Sequence, residues 1–307
     1  MKLRFRNKKT GEIIDCFAQE GTNPTLYDFG IEKSKDWEAV LADAPEETGG
    51  SMIRFRILIP AHNNADTIER AVRSVAQQSY KGREIIVVDD CSKDATWDII
   101  QKLFDINIAA HLDQPGYNGG TRNAAMKLGK RSDYTLFLDA DDEWISPNFL
   151  NDLAGFIVDY DFPDIVRLPY IRCEADGREI DQTPNIMRLE HDLATTAKNC
   201  RVACWTKAVR TELLQPFPEN TLMEDVCQHL KQIDVARTIA YYPEAVTKWH
   251  IRPNSTSNAH SEKWKSSAYR FVADLMDLEL TKDYTRARRD QKLIEAIGNL
   301  QRGIYEQ

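Results

Sequence analysis

No run of apolar residues in this 307-residue chain approaches the ~18 that a membrane-crossing helix needs. The longest are fragments such as Ile57-Leu58-Ile59 and Ile85-Ile86-Val87-Val88. The opening Met1-Lys2-Leu3-Arg4-Phe5-Arg6 leads into more charge and no hydrophobic stretch, so no secretory signal is expected. Cysteine is sparse and unpaired in pattern: six residues and no CxxC, which argues against both a zinc site and a disulfide framework. Reduced thiols and a cytoplasmic location, at most peripheral to a membrane, follow as the expectation. Positive charge is in the minority, 40 Lys and Arg against 48 Asp and Glu, for a net −8. That balance argues against a general polyanion binder, although Arg286, Arg288 and Arg289 form a local basic cluster or a solvated helix face. Internal repeats and low-complexity tracts are missing too. What remains, 42% hydrophobic and 29% charged residues, is the balance of a globular protein.

Three textures divide the chain. Residues 1–50 read as a small accessory module and linker: a β-hairpin through Leu3–Arg6 and Ile13–Phe17, then a helix over Ser34–Ala42 on the spacing of Trp37, Val40 and Leu41. The run Ala44–Ser51 is linker-like in composition. Over residues 51–260, strands at Phe55–Ile59, Glu84–Val88 and Tyr134–Leu138 alternate with amphipathic helices, the pattern of βαβ units and a parallel sheet. In such sheets ligands bind beyond the carboxyl ends of the strands, where Pro60, Asp89-Asp90 and Asp139 all fall. Residues 261–307 read as a helical extension with two apolar stripes, Trp264 to Met276 and Leu293-Ile297-Leu300-Ile304. These stripes suit a core or the seam of a homo-oligomer.

The densest chemical signal is Phe137-Leu138-Asp139-Ala140-Asp141-Asp142-Glu143-Trp144. A strand that empties several carboxylates into one loop concentrates negative charge, which a divalent cation offsets while keeping positions open for phosphate oxygens. An Asp-rich turn ahead of a helix explains the same residues. By itself the run fits both.

Other segments lie in order around it. Ile57 to Tyr80, Ile86-Val87-Val88-Asp89-Asp90-Cys91-Ser92-Lys93-Asp94-Ala95-Thr96 and Gly119-Gly120-Thr121-Arg122-Asn123-Ala124-Ala125 precede it, and Met223-Glu224-Asp225-Val226 follows. Together they resemble a family 2 glycosyltransferase, with Asp139-Ala140-Asp141 in the place of that family's DxD motif. The resemblance covers roughly residues 53 to 258 and implies the α/β GT-A fold, with a mostly parallel central sheet flanked by helices.

It also implies roles. Pro60, His62 and Asn63 would lie against the nucleoside, although the family usually has an aromatic where His62 stands. Asp90 would accept from the uracil imide, unless it caps the following helix. Arg122, with Asn123 beside it, would grip the diphosphate, and Gln114 is a weaker nucleotide-side candidate. Asp139 and Asp141 would hold Mn²⁺ or Mg²⁺, with His250 as a further ligand or else a packed histidine. Arg252, Ser255 and Thr256 would close over the phosphates. Asp225 would be the catalytic base and Glu224 its positioning neighbour, while Trp205 suits either a sugar face or the core. The implied reaction is inverting transfer from a nucleotide sugar, UDP favoured, to an acceptor hydroxyl. That acceptor would be a glycan, wall polymer, lipid-linked precursor, protein or modified nucleic-acid base. A nucleotidyltransferase-like enzyme and a non-catalytic nucleotide-sugar-binding protein are the alternatives. The first normally wants a Gly-rich phosphate loop, which Pro60-Ala61-His62-Asn63 is not.

Overall fold

A computed structural model of the chain describes residues 2–7, 13–17, 37–39, 52–182, 189–190, 202–219, 221, 223–251 and 262–301. The chain divides into two compact units, residues 1–52 with 101–104, and the remainder.

In the first unit, β1 (Lys2–Asn7) and β2 (Ile13–Phe17) form the expected antiparallel hairpin, Leu3 facing Cys16 and Arg6 facing Ile13. The expected helix over Ser34–Ala42 is corrected where it is described. Trp37–Ala39 is a strand, β3, pairing antiparallel with β1 through Phe5↔Ala39 and Asn7↔Trp37. A two-stranded hairpin is marginal alone and gains from a third strand, a long-range pairing that local spacing does not register. Tryptophan also favours strands.

The second unit is built on an eight-stranded sheet. At its centre β4 (Phe55–Ala61) pairs in parallel with β5 (Arg83–Asp89), which pairs in parallel with β6 (Ile108–His111). On the other side β4 pairs in parallel with β7 (Tyr134–Phe137). Ile57, Leu58 and Ile59 in β4, and Ile86, Val87 and Val88 in β5, are fully buried. Such unbroken apolar runs belong to strands covered on both faces. The cover includes α1 (Ile68–Ala76), whose Ile68, Ala71, Val72 and Val75 face inward, along with α2 (Thr96–Ile100) and α3 (Tyr117–Met126). A small sheet starts with β8 (Glu143–Trp144), and α4 (Phe149–Asp159) follows. The main sheet resumes with β9 (Ile165–Arg167), and the small one with β10 (Tyr170–Cys173) and β11 (Glu179–Asp181). The main sheet is completed by β12 (Leu189–Glu190), β13 (Lys207–Arg210) and β14 (Ile239–Tyr241). β13 runs antiparallel between β7 and β9, so the sheet is mostly parallel rather than wholly so. β15 (Thr247–His250) joins β10 and β8 in the small sheet.

Helix α5 (Glu224–Val235) is buried along most of its length. The C-terminal helices α6 (Glu262–Met276) and α7 (Asp283–Gln301) explain why. Phe271, Leu275, Leu278, Leu280 and Ala296 close over Val226, Cys227 and Leu230 of α5. The first expected stripe is thus core through Ala268, Phe271 and Leu275, with Met276 left exposed. The second packs on that core through Leu293, beside Ala296 at 2% exposure, whereas Ile297 is 38% and Ile294 73% exposed. A small residue allows the helix close, and the neighbouring isoleucines turn outward. Ile304 lies outside the described residues.

Candidate active site

Because β7, β4 and β5 are neighbours running the same way, their carboxyl ends deliver Asp139, His62 and Asp90 to one edge. The loops after β4 and β5 are stapled together there. Asp90 N–H donates to the Ala61 carbonyl at 2.8 Å, and His62 Nδ1 donates to the Asp90 carbonyl at 2.6 Å. Asn63 N–H donates to Ser92 Oγ at 2.9 Å, while its Oδ1 accepts from Lys93 N–H at 2.8 Å. Asn63 sits at φ 53°, a left-handed conformation that asparagine tolerates better than most residues. Pro60 lies opposite Val88, one residue before the end of β4. His62 and Asn63 remain exposed, with a ring and an amide held in place on the rim.

Asp90 does not cap the following helix, which corrects that alternative. Asp94 does so, accepting from Thr96 N–H at 3.0 Å. Asp90 Oδ1 accepts from Gly116 N–H at 2.6 Å instead, drawing the loop with exposed Gln114 and the start of α3 to the same edge. Its buried neighbour Asp89 is occupied by Ser92 and by His111 Nδ1 at 2.7 Å, a scaffold role.

Helix α3 then meets the segment before α5 at close range. A Cβ on Gly119 would come within 2.1 Å of the Pro218 carbonyl, so only glycine fits. Asn123, expected beside the diphosphate, is buried in this contact. Its Nδ2 donates to the Phe217 carbonyl at 2.9 Å, and its Oδ1 accepts from Phe217 N–H at 2.9 Å. Asn123 thereby pins Phe217, since a side-chain amide matches a backbone amide in both directions. The chain next passes through Met223 at φ 63° and starts α5 with Glu224 and Asp225. Carboxylates in a first helical turn are favoured by the helix dipole.

Arg122 lies where these pieces converge. Its Nη2 donates to Asp139 Oδ1 at 3.0 Å, its Nη1 donates to Glu224 Oε1, and Asp225 Oδ1 lies 3.6 Å from Nη1. With its side chain 5% exposed, the guanidinium faces these carboxylates. Asp225 Oδ1 is buried and accepts no hydrogen bond. Burial raises Asp139 to about 6 and Glu224 to about 7 despite the Arg122 charge beside each.

Asp139, Asp141 and Asp142 bring carboxylate oxygens within 4.8 Å of one another. Asp142, which the sequence reading left without a role, is fully buried. Its Oδ1 accepts from His250 N–H at 2.9 Å, and its Oδ2 has no hydrogen-bond partner. Burial, then the neighbouring Asp139 and Asp141, push its carboxyl well above the usual range. A trio of hard oxygen ligands with one orphaned buried atom fits a divalent cation such as Mg²⁺ or Mn²⁺. The ring of His250 does not join that trio. Its Nε2 sits 3.0 Å from Glu143 Oε1. Arg70 is a second residue that sequence reading missed: its Nη2 donates to the Asp141 carbonyl at 2.5 Å, shaping the acidic loop. Only the run of three aspartates carried any signal for Asp142, and none existed for Arg70, whose partner is 71 residues away. Trp205 packs in the core against Tyr170, ring centroids 5.0 Å apart, so of its two readings the core one holds. Arg252, Ser255 and Thr256 lie outside the described residues.

Known proteins share this fold. The crystal structure of Staphylococcus aureus TarS 1–349 in complex with UDP-GlcNAc superposes with a TM-score of 0.61 at 25% identity, over 80% of this chain and 72% of that one. The putative teichuronic acid biosynthesis glycosyltransferase TuaG of Bacillus subtilis is 28% identical over 222 residues, 69% of this chain and 83% of its own. The Escherichia coli UDP-Glc:alpha-D-GlcNAc-diphosphoundecaprenol beta-1,3-glucosyltransferase WfaP is 42% identical over 98 residues, 32% of this chain and 39% of WfaP. The match to the S. aureus poly(ribitol-phosphate) beta-N-acetylglucosaminyltransferase TarS spans 30% of that protein's length. The family model described as glycosyl transferase family 2 matches residues 56–215, just over half of the chain. With the family model matched over half of the chain and the fold in agreement, the chain belongs to glycosyltransferase family 2.

Proposed function

We propose that this enzyme transfers a sugar from a UDP-sugar to an acceptor hydroxyl with inversion, assisted by Mn²⁺ or Mg²⁺. The observation that carries this reading is the placement of Asp225 and Asp139 on a single guanidinium, at 3.6 and 3.0 Å from Arg122. An inverting transfer needs a base on one side of the reacting carbon and charge stabilisation on the other, and Arg122 ties the carboxylates assigned to those two tasks to one point.

Asp139, Asp141 and Asp142 would hold the cation, which supplies Lewis-acid stabilisation of the departing diphosphate. Asp225 accepts the hydroxyl proton from its place in the first turn of α5, where its side chain is 22% exposed. A carboxylate is too weak a base to deprotonate an alcohol beforehand, so proton transfer accompanies attack. Glu224, tied to Arg122, fixes the start of α5 from which Asp225 projects. The stapled rim of Pro60, His62, Asn63 and Asp90 receives the nucleoside, with Gln114 alongside. UDP is supported by the TarS complex with UDP-GlcNAc. A glycan or lipid-linked acceptor is supported by the E. coli relative, whose name places its acceptor sugar on diphosphoundecaprenol. No helix among the described residues is long and apolar enough to cross a membrane.

Asp225→Asn is expected to abolish transfer while leaving calorimetric UDP affinity within about threefold, because the lost group acts only on the chemical step. Robust turnover by that variant would remove Asp225 from the role. Hydrolysis of a panel of UDP-, GDP- and dTDP-sugars with and without Mn²⁺ tests donor and metal together. Equal rates in EDTA and in Mn²⁺ would refute the cation requirement.

A further inference from the structure

We infer that Arg122 is a positioning residue that sets the distance between the cation side of the site and the catalytic base, rather than a grip on the diphosphate. The inference rests on the transferase reading above. All its described hydrogen bonds and ion pairs run to protein carboxylates: Nη2 to Asp139, and Nη1 to Glu224 with Asp225 at 3.6 Å. Nε is buried without a hydrogen-bond partner, and the side chain is 5% exposed, so no donor is offered to open space. The flat of the guanidinium lies 5.5 Å from the ring centroid of Phe217, the residue that Asn123 pins from the same helix. Arg122 is thus held from α3, β7 and α5 at once.

The geometry suits a base in particular. At 3.6 Å the Asp225 pairing is Coulombic and not a hydrogen bond, and Asp225 Oδ1 accepts from no other group. Asp225 is thus paired with the guanidinium while its side chain stays 22% exposed to an incoming hydroxyl. Asp139 and Glu224, by contrast, each accept a hydrogen bond from the guanidinium and are tied down. A planar fork can span two carboxylates in a fixed plane, whereas a lysine presents a single point of charge.

The test compares Arg122→Ala and Arg122→Lys with the parent, measuring UDP affinity by calorimetry in Mn²⁺ and steady-state kcat and KM for the donor. For both variants kcat is expected to fall about 10²-fold, the scale of a misplaced reacting group. UDP affinity should stay within about threefold of the parent. Loss of UDP affinity by tenfold or more in a folded variant overturns the inference, since that is the signature of a diphosphate grip. So does a lysine variant with the parent's kcat, because a point charge would then suffice. Arg122→Lys keeps one positive charge among the carboxylates. It carries the test if the alanine variant does not fold, with near-ultraviolet circular dichroism as the check. Failure of the transferase reading is seen separately, as no turnover by the parent itself on any UDP-, GDP- or dTDP-sugar of the panel.

Discussion

Asn123 shows how one side chain can look like part of a binding site and instead hold that site together. Both ends of its amide are taken by Phe217, one residue ahead of the Pro218 carbonyl that excludes any side chain at position 119. Asn123→Ala is expected to cost about 1–3 kcal/mol in urea unfolding, from buried backbone groups left unpaired. UDP affinity should change little. Unchanged stability with lost UDP affinity would return Asn123 to the nucleotide. Gly119→Ala should cost about 1–3 kcal/mol by overpacking, with a lowered melting temperature as the readout. Glu224 offers a test of sign. Its proton is held to about pH 7 in the folded chain, against an ordinary carboxyl value of 4.5. Between those values the folded state binds more protons than the unfolded one, so this group's contribution to stability falls as pH rises. Thermal melts in EDTA at about pH 5 and about pH 8 should show the parent losing stability relative to Glu224→Gln, on the order of a few kcal/mol. No divergence would mean that Glu224 is ionised throughout.

At the scale of elements, α5 links the chemistry to the C-terminal helices. Its first turn bears Glu224 and Asp225; near its far end, Asp234 accepts hydrogen bonds from Thr281 N–H and Oγ1, Lys282 N–H and Thr285 Oγ1. Those bonds hold Asp234 below its usual pKa in spite of burial. The turn between α6 and α7 is therefore fastened to α5 by one carboxylate. Asp234→Ala is expected to destabilise the fold by at least ~2 kcal/mol, charged hydrogen bonds being worth ~1.5–3 each. Proteolysis should then cut first near residues 277–283, while UDP binding survives because the stapled rim is remote in the fold. Cleavage elsewhere with this turn intact would show that the apolar contacts of Phe271, Leu275 and Ala296 suffice.

For the whole molecule, the order of motifs made the family and the fold class legible before any coordinates. Strands buried on both faces advertise themselves as unbroken apolar runs, and those runs end in the polar residues that a parallel sheet gathers at one edge. The antiparallel β13, only four residues long, and the strand β3 in place of a helix left no such mark. Both are made by partners distant in sequence.

The sequence by itself determined which residue types stand at the carboxyl ends of the strands, because hydrophobic patterning and turn chemistry are local and repeat at short range. Only the tertiary structure decided whom each polar group faces. Arg122 turned to three carboxylates, Asn123 to a backbone amide and His250 to Glu143, while Asp142 joined the acidic trio. A buried charge takes the nearest complementary group that folding supplies. For Arg122 those groups lie 17 to 103 positions along the chain, where no local pattern points to them.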